Sequence, residues 1–126
     1  MSEIKKGLLY SKDHEWVLLQ GSKAYIGITD YAQHSLGDIV FAEGEPVGTE
    51  VSAGDTIGVI ESVKAASDVY TPISGTIAET NDVIADAPES INAAPYDSWI
   101  VVLEVASPDL SELMDADAYS ALCDKL

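Results

Sequence analysis

Lys64 stands in Ser62-Val-Lys-Ala65, between two arms of alternating residues. On its N-terminal side Ile57, Val59 and Glu61 alternate with Gly58, Ile60 and Ser62. On its C-terminal side Val69, Thr71 and Ile73 continue at every second place, which is the period of a strand. A hairpin with its apex at Val63-Lys64-Ala65 would project the amine on a rigid base, although no Asn-Gly or Asp-Gly pair marks the turn. The bland alternative is a solvated surface lysine. Acid–base chemistry by Glu15, Asp68 or Lys64 itself is a rival, but a lysine nucleophile needs a depressed pKa in a desolvated pocket, and a hairpin apex is the wrong place for one. The two histidines, His14 and His34, and the one cysteine, Cys123, lack the spacing of a metal site or a Cys-His nucleophile. His14 reads as a surface or hydrogen-bonded structural histidine, and His34 carries no assignment.

The elements on either side of the hairpin repeat. Gly48-Thr-Glu-Val-Ser-Ala-Gly-Asp-Thr-Ile57 and Gly75-Thr-Ile-Ala-Glu-Thr-Asn-Asp-Val-Ile84 share Gly, Thr, Asp and Ile at the same four places, and Gly54 answers to Asn81. Gly and Asn most readily adopt a left-handed turn, so each copy reads as a strand, a turn and a strand. With the lysine near their midpoint, the copies predict a quasi-symmetric antiparallel sandwich or barrelled sheet.

The rest of the chain extends this plan to a mainly β protein with short helices. Leu8 to Tyr10 predicts a short strand, and Glu15–Gln20 and Lys23–Ile28 predict two more joined at Gly21-Ser22, an N-terminal hairpin extension. Thr29 or Asp30 can cap a short helix, with Gln33 three places after Asp30 as in a capping box and Gly37 at its end. Ile39–Phe41 returns to strand, Glu43–Gly48 is a loop, one helical turn is expected at Pro88–Ile91, and Trp99–Val105 is a strand. Ser107-Pro108 predicts a helix start, with Leu110, Leu113 and Met114 at helical spacing. Asp115 can cap a C-terminal helix with Ala118, Ala121 and Leu122 on one face.

At 126 residues with 47% hydrophobic content, the chain fits a single domain, 1–126, that can close a core without metal or disulfide. Its 22 acidic and 6 basic side chains give a net charge of -16, which disfavours nucleic acid and anionic membranes as partners and fits a soluble monomer that docks on electropositive proteins. No apolar run is long enough to span a membrane, and the N-terminal residues show neither signal nor transit character, so the expectation is a cytoplasmic protein.

Glu61-Ser-Val-Lys64-Ala-Ala-Ser-Asp68 followed by Pro72-Ile-Ser-Gly75 resembles the lipoyl-attachment hairpin of glycine cleavage system H proteins. The resemblance continues through Ser11-Lys-Asp-His-Glu-Trp16, Gly27–Gln33, Leu36–Phe41, Asn92-Ala-Ala-Pro-Tyr96 and Asp115-Ala-Asp-Ala-Tyr119. It departs at Glu43-Gly-Glu-Pro46, where the family usually has Glu-Leu-Pro-Glu, and at Pro95–Trp99, one residue shorter than usual. The resemblance implies a carrier, not an enzyme, with lipoate in amide linkage to Lys64. Its arm would take an aminomethyl group from glycine decarboxylase to aminomethyltransferase and be reoxidised by dihydrolipoamide dehydrogenase, after loading by a lipoate-attaching enzyme. It also implies that Glu15 and Asp68, with Asp13 behind them, line the arm's resting cleft, and that Glu61 and Gly75 are recognition points for the attaching enzyme. Two readings lie close by. A lipoyl relay to other complexes would use the same arm, whereas a biotin carrier would show Met-Lys-Met where Val63 and Ala65 flank the lysine here.

Overall fold

In the computed structural model, which describes residues 2–126, the second and third strands take the expected bounds, and the first starts one residue later than expected, at Leu9. β1 (Leu9–Tyr10) pairs with β2 (Glu15–Gln20), and β2 pairs with β3 (Lys23–Ile28) in unbroken register from Glu15↔Ile28 to Gln20↔Lys23. The next elements are α1 (Asp30–Leu36), β4 (Ile39–Gly44), β5 (Glu50–Val51), β6 (Thr56–Ser62), β7 (Ala66–Tyr70), β8 (Gly75–Thr80), α2 (Asp82–Asp86), α3 (Ser90–Ala93), β9 (Val101–Glu104) and α4 (Ala116–Asp124). One sheet runs β1-β2-β3-β9-β8-β5 and the other β4-β6-β7, all antiparallel. Both sheets are open, so the architecture is a sandwich with four short helices and not a closed barrel.

The main core includes Val17, Ile26, Ile39, Ile60, Val69 and Leu103, contributed by both sheets. Complete burial of an aliphatic side chain such as Leu103 contributes about 1.5–3 kcal/mol. A separate cluster of Leu8, Tyr10, Trp16 and Tyr119 brings α4 onto the larger sheet. Trp16 and Val17, adjacent on β2, belong to different clusters, as strand alternation requires. No helix among the described residues is long and apolar enough to cross a membrane.

Several expectations are corrected. The opening residues of the two copies pair with each other, Glu50↔Thr76 and Val51↔Gly75, but only the first copy is strand, turn and strand. In the second, Asn81 has φ -83° and its side chain accepts from Val83 N, so it caps α2 where Gly54, at φ 96°, makes a turn. Thr29 caps α1 by accepting from Ala32 N, and no capping box forms: Gln33 Nε2 donates to the Asp30 carboxylate at 2.8 Å. β4 runs on to Gly44, into the expected loop, and β9 is shorter than 99–105. The helix expected after Ser107-Pro108 is absent. Met114 instead exchanges two backbone hydrogen bonds with Tyr10, of 2.7 and 2.8 Å, and that bridge holds the segment out of a helix. α4 is capped by Asp115 as expected, yet its inner face carries Tyr119, Leu122 and Cys123, while Ala118 and Ala121 are exposed.

Candidate functional site

β6 and β7 form the hairpin that carries Lys64, with Glu61↔Ala66 as the last register pair and Ser62 N donating to Ala65 O at 2.7 Å. Ser62 replaces the missing Asn-Gly signal. Its Oγ accepts from Lys64 N at 3.3 Å and Ala65 N at 3.1 Å, and donates to Ala65 O at 3.2 Å. A hydroxyl that satisfies the turn's own amides lets the chain reverse without left-handed residues, and neither Val63 nor Lys64 has positive φ.

The tip is also held from outside. Val63 N donates to Asp38 O at 3.0 Å, and Asn92 fixes the backbone on either side of Asp38 by accepting from Ile39 N at 2.9 Å and donating to Gly37 O at 2.9 Å. Asn92 also donates to Gln33 Oε1 at 2.8 Å, which ties α1 to α3. Gly37, at φ 84°, ends α1, and the Lys64 side chain lies over it: a Cβ built at Gly37 would stand 3.7 Å from Lys64 Cε. Lys64 is exposed on a clamped support.

Beside the hairpin a cleft of about 210 Å³ opens between β6–β7, α1 and the start of β2. Ile28, Leu36, Ile60 and Val69 form its apolar wall, and Asp13, Glu15, Tyr31, Ser35, Ser67 and Asp68 its polar one. Glu15 enters it because the turn before β2 is tight. Ser11 N donates to Glu15 O at 2.9 Å, His14 N to Ser11 O at 3.1 Å, and His14 takes the left-handed φ of 68° that lets the strand resume. On β2, Glu15 faces the same side as Val17, at the end of the strand where the main core opens into the cleft.

Glu15 is 3% exposed. Burial pushes its carboxyl up to about 7, against the opposing effects of the Ser11 hydroxyl and the Tyr70 amide, with the charge of Asp13 reinforcing the rise. Ser11 Oγ donates to Glu15 Oε1 at 2.5 Å. His14 proves to be hydrogen-bonded: its Nδ1 lies 2.7 Å from Tyr119 Oη, which lies 2.8 Å from Thr29 Oγ1, so α4 is joined to the cap of α1. Burial lowers the His14 pKa, against the charge of Asp13. Its ring stacks on Tyr31, a cleft residue, with centroids 4.6 Å apart.

The predicted residues are thus partly assembled and partly dispersed. Glu15, Asp13 and Asp68 line one cleft. Asp68, however, is exposed on edge strand β7 opposite Val59, and alternation turns Ser67 and Val69 toward the cleft and core instead. Glu61 is exposed on the outer face of the hairpin, opposite Phe41. Gly75 lies well away from the tip, on β8, where a Cβ would come within 2.7 Å of Glu104 O, so close strand packing already accounts for glycine there. Ser35 has no local sequence signal, and Tyr31 and Ser67, though inside motifs noted above, meet at the cleft only through the fold. Asn92 stands inside a motif noted above, yet its role as a clamp needs three distant partners.

In the Pro95–Trp99 loop, Pro95 O accepts from Trp16 Nε1 of β2 at 3.1 Å, and Trp99 packs edge-on to Tyr25 with ring centroids 5.8 Å apart. Fold and site together define a small β-sandwich protein that presents one lysine on a clamped hairpin above a cleft with a buried carboxylate. The sequence model of the glycine cleavage H-protein matches residues 8–126. The chain is 56% identical over 124 residues to the glycine cleavage system H protein of a Thermoanaerobacter species, covering 98% of each, and 50% identical over 120 residues to that of Alkaliphilus oremlandii, covering 94% of each. The crystal structure of a glycine cleavage system H protein from Mycobacterium marinum matches with a TM-score of 0.87 at 35% identity, over 98% of this chain and 100% of that one. This chain belongs to the glycine cleavage H-protein family.

Proposed function

We propose that this chain is the lipoyl carrier of a glycine cleavage system, with lipoate in amide linkage to Lys64. The observation that carries the reading is the exposed lysine on a clamped tip directly beside the Glu15 cleft, in a chain of this family. The residues fit the group. Lys64 takes part in neither of the two ion pairs among the described residues, and the adjoining wall of Ile28, Leu36, Ile60 and Val69 offers an apolar arm a dry seat.

Held in amide linkage by Lys64, lipoate would supply a dithiolane disulfide suited to carrying an aminomethyl group between glycine decarboxylase and aminomethyltransferase, with dihydrolipoamide dehydrogenase as the oxidant of its dithiol. The chain's own residues bind and orient. Ser62 and Asp38 fix the tip, and Asp13, together with Glu15 once it yields its proton to an arriving amine, gives a cationic amine a carboxylate partner in the cleft. A charge-assisted hydrogen bond in such a partly dry site is worth roughly 1.5–3 kcal/mol, against about 0–1 kcal/mol for an exposed ion pair. In this reading the chain is one carrier domain, monomeric and cytoplasmic, and its partners do the catalysis.

The test is intact mass and peptide mapping after incubation with a lipoate-attaching enzyme. One lipoyl group on Lys64, none on Lys64→Arg, is the expected result. Lipoate on Lys12 or Lys23 with Lys64 bare would overturn the assignment.

A further inference from the structure

The outer face of the three-stranded sheet has an apolar patch that neither the core nor the cleft uses. Val40, Phe41 and Val63 are 56%, 39% and 71% exposed. A register shift between Ile39 and Phe41 is the cause: Ile39 is buried opposite Ser62, Phe41 is exposed opposite Glu61, and Val40 between them also stays in solvent. The hydrogen bond from Val63 N to Asp38 O brings the hairpin tip beside this stretch of β4. Asp38, Glu43 and Glu61 are exposed at its margin, and neither ion pair among the described residues includes them. Single exposed apolar side chains are ordinary on a protein surface. Three gathered at the base of the one tip lysine, inside a carboxylate rim, form a surface suited to a partner.

We infer that this patch is the docking surface for the enzyme that acylates Lys64, a protein whose active-site mouth has an apolar seat and a basic rim. The inference rests on the reading of Lys64 given above. In the step concerned the lysine nitrogen attacks the carbonyl carbon of an acyl adenylate. The C–N amide bond forms, the C–O bond to phosphate breaks, AMP leaves with the electron pair, and the amine's proton passes to a base of the acylating enzyme. The carbonyl must therefore reach Nζ itself, one side chain's length from the Val63 and Asp38 backbone, so the enzyme's surface meets the patch. Proteins acting on the far end of an attached arm have no such need, which is why the patch fits the acylating enzyme best. The carboxylate rim and the net charge of -16 oppose a second copy of this chain there and favour a basic mouth.

The experiment measures initial rates of Lys64 acylation on the unmodified chain with purified lipoate–protein ligase, lipoate, ATP and magnesium. A Val40→Ser/Val63→Ser variant is compared with Val47→Ser/Val83→Ser, whose sites are 62% and 64% exposed near the opposite end of β4. The first is expected to lose at least about tenfold in kcat/KM, mostly through KM for the chain, and the second to stay within about twofold of wild type. Lys64→Arg, which keeps the patch but cannot be acylated, should inhibit wild-type acylation competitively, and should stop doing so when Val40→Ser and Val63→Ser are added. Circular dichroism melts check that each variant is folded, and the inhibition arm remains decisive if turnover is affected by hairpin geometry. Equal kcat/KM for both double variants, or undiminished inhibition by the triple variant, would overturn the proposal. A wild-type chain that is acylated elsewhere, or not at all, would instead remove the lipoyl reading beneath it.

Discussion

Glu15 titrates near neutrality because burial raises its carboxyl from 4.5 to about 7. The folded chain holds this proton more tightly than the unfolded chain, so the resulting stabilisation is complete below pH 4.5 and is lost as pH rises through about 7. Glu15→Gln is neutral throughout. Its stability relative to wild type should therefore rise by roughly 1–3 kcal/mol between about pH 5 and about pH 8, read from denaturant midpoints at each pH. A difference that is flat with pH would mean that the carboxylate is ionised and solvated in the folded protein. Lys64 makes a different case. Its side chain rests on Gly37 and supports nothing in the core, so Lys64→Ala should change stability by no more than about 0.5 kcal/mol. Ser62→Ala removes the hydroxyl that accepts two turn amides, and should cost about 1–2 kcal/mol and speed hydrogen exchange at Lys64 and Ala65. Unchanged exchange there would assign the turn's rigidity to Asp38 alone.

Among the elements, α3 does more than its four residues suggest, because Asn92 reaches α1 and the entry to β4. Asn92→Asp keeps an acceptor for Ile39 N but loses both donated bonds and sets a carboxylate against Gly37 O. It should destabilise the fold by roughly 1–3 kcal/mol and, through Asp38, accelerate exchange of the Val63 amide. Exchange at Val63 equal to wild type would show that the clamp does not reach the hairpin. This clamp also marks where sequence reading stops. β2 and β3 were legible because apolar alternation and a Gly-Ser turn are local, and the lysine hairpin because its first arm keeps a strand period; its second arm, β7, starts at Ala66, ahead of the alternation expected from Val69, and ends at Tyr70, short of Thr71 and Ile73. The turn itself hid in Ser62, whose hydroxyl acts on backbone atoms and leaves no compositional mark. Leu110, Leu113 and Met114 have helical spacing, but Met114 is claimed by Tyr10, far away in sequence, and a long-range bridge overrides a weak local preference. Asn81 and Gly54 stand at equivalent places, yet asparagine can cap a helix as readily as it can turn, and only the surrounding packing decides. Within the site, Glu15 and Asp13 were found through motif resemblance, whereas Ser67 required knowing which face of β7 turns inward.

At the scale of the whole molecule, a charge of -16 on 126 residues sets up a field that partners meet before any contact forms. Association with a basic partner should slow by roughly tenfold between about 20 mM and about 500 mM salt, measured by stopped flow, while dissociation changes less. Salt-independent association would mean that encounter is governed by shape alone. The clamped tip and the cleft at its foot have a further consequence, which is statistical. Any group carried on Lys64 samples a volume bounded by its tether, so the cleft meets it at an effective concentration on the order of millimolar, however dilute the protein is. A contact too weak to join two free molecules is then enough to keep the group parked most of the time, and a dissolved competitor must itself be raised into that millimolar range before it displaces the tethered one.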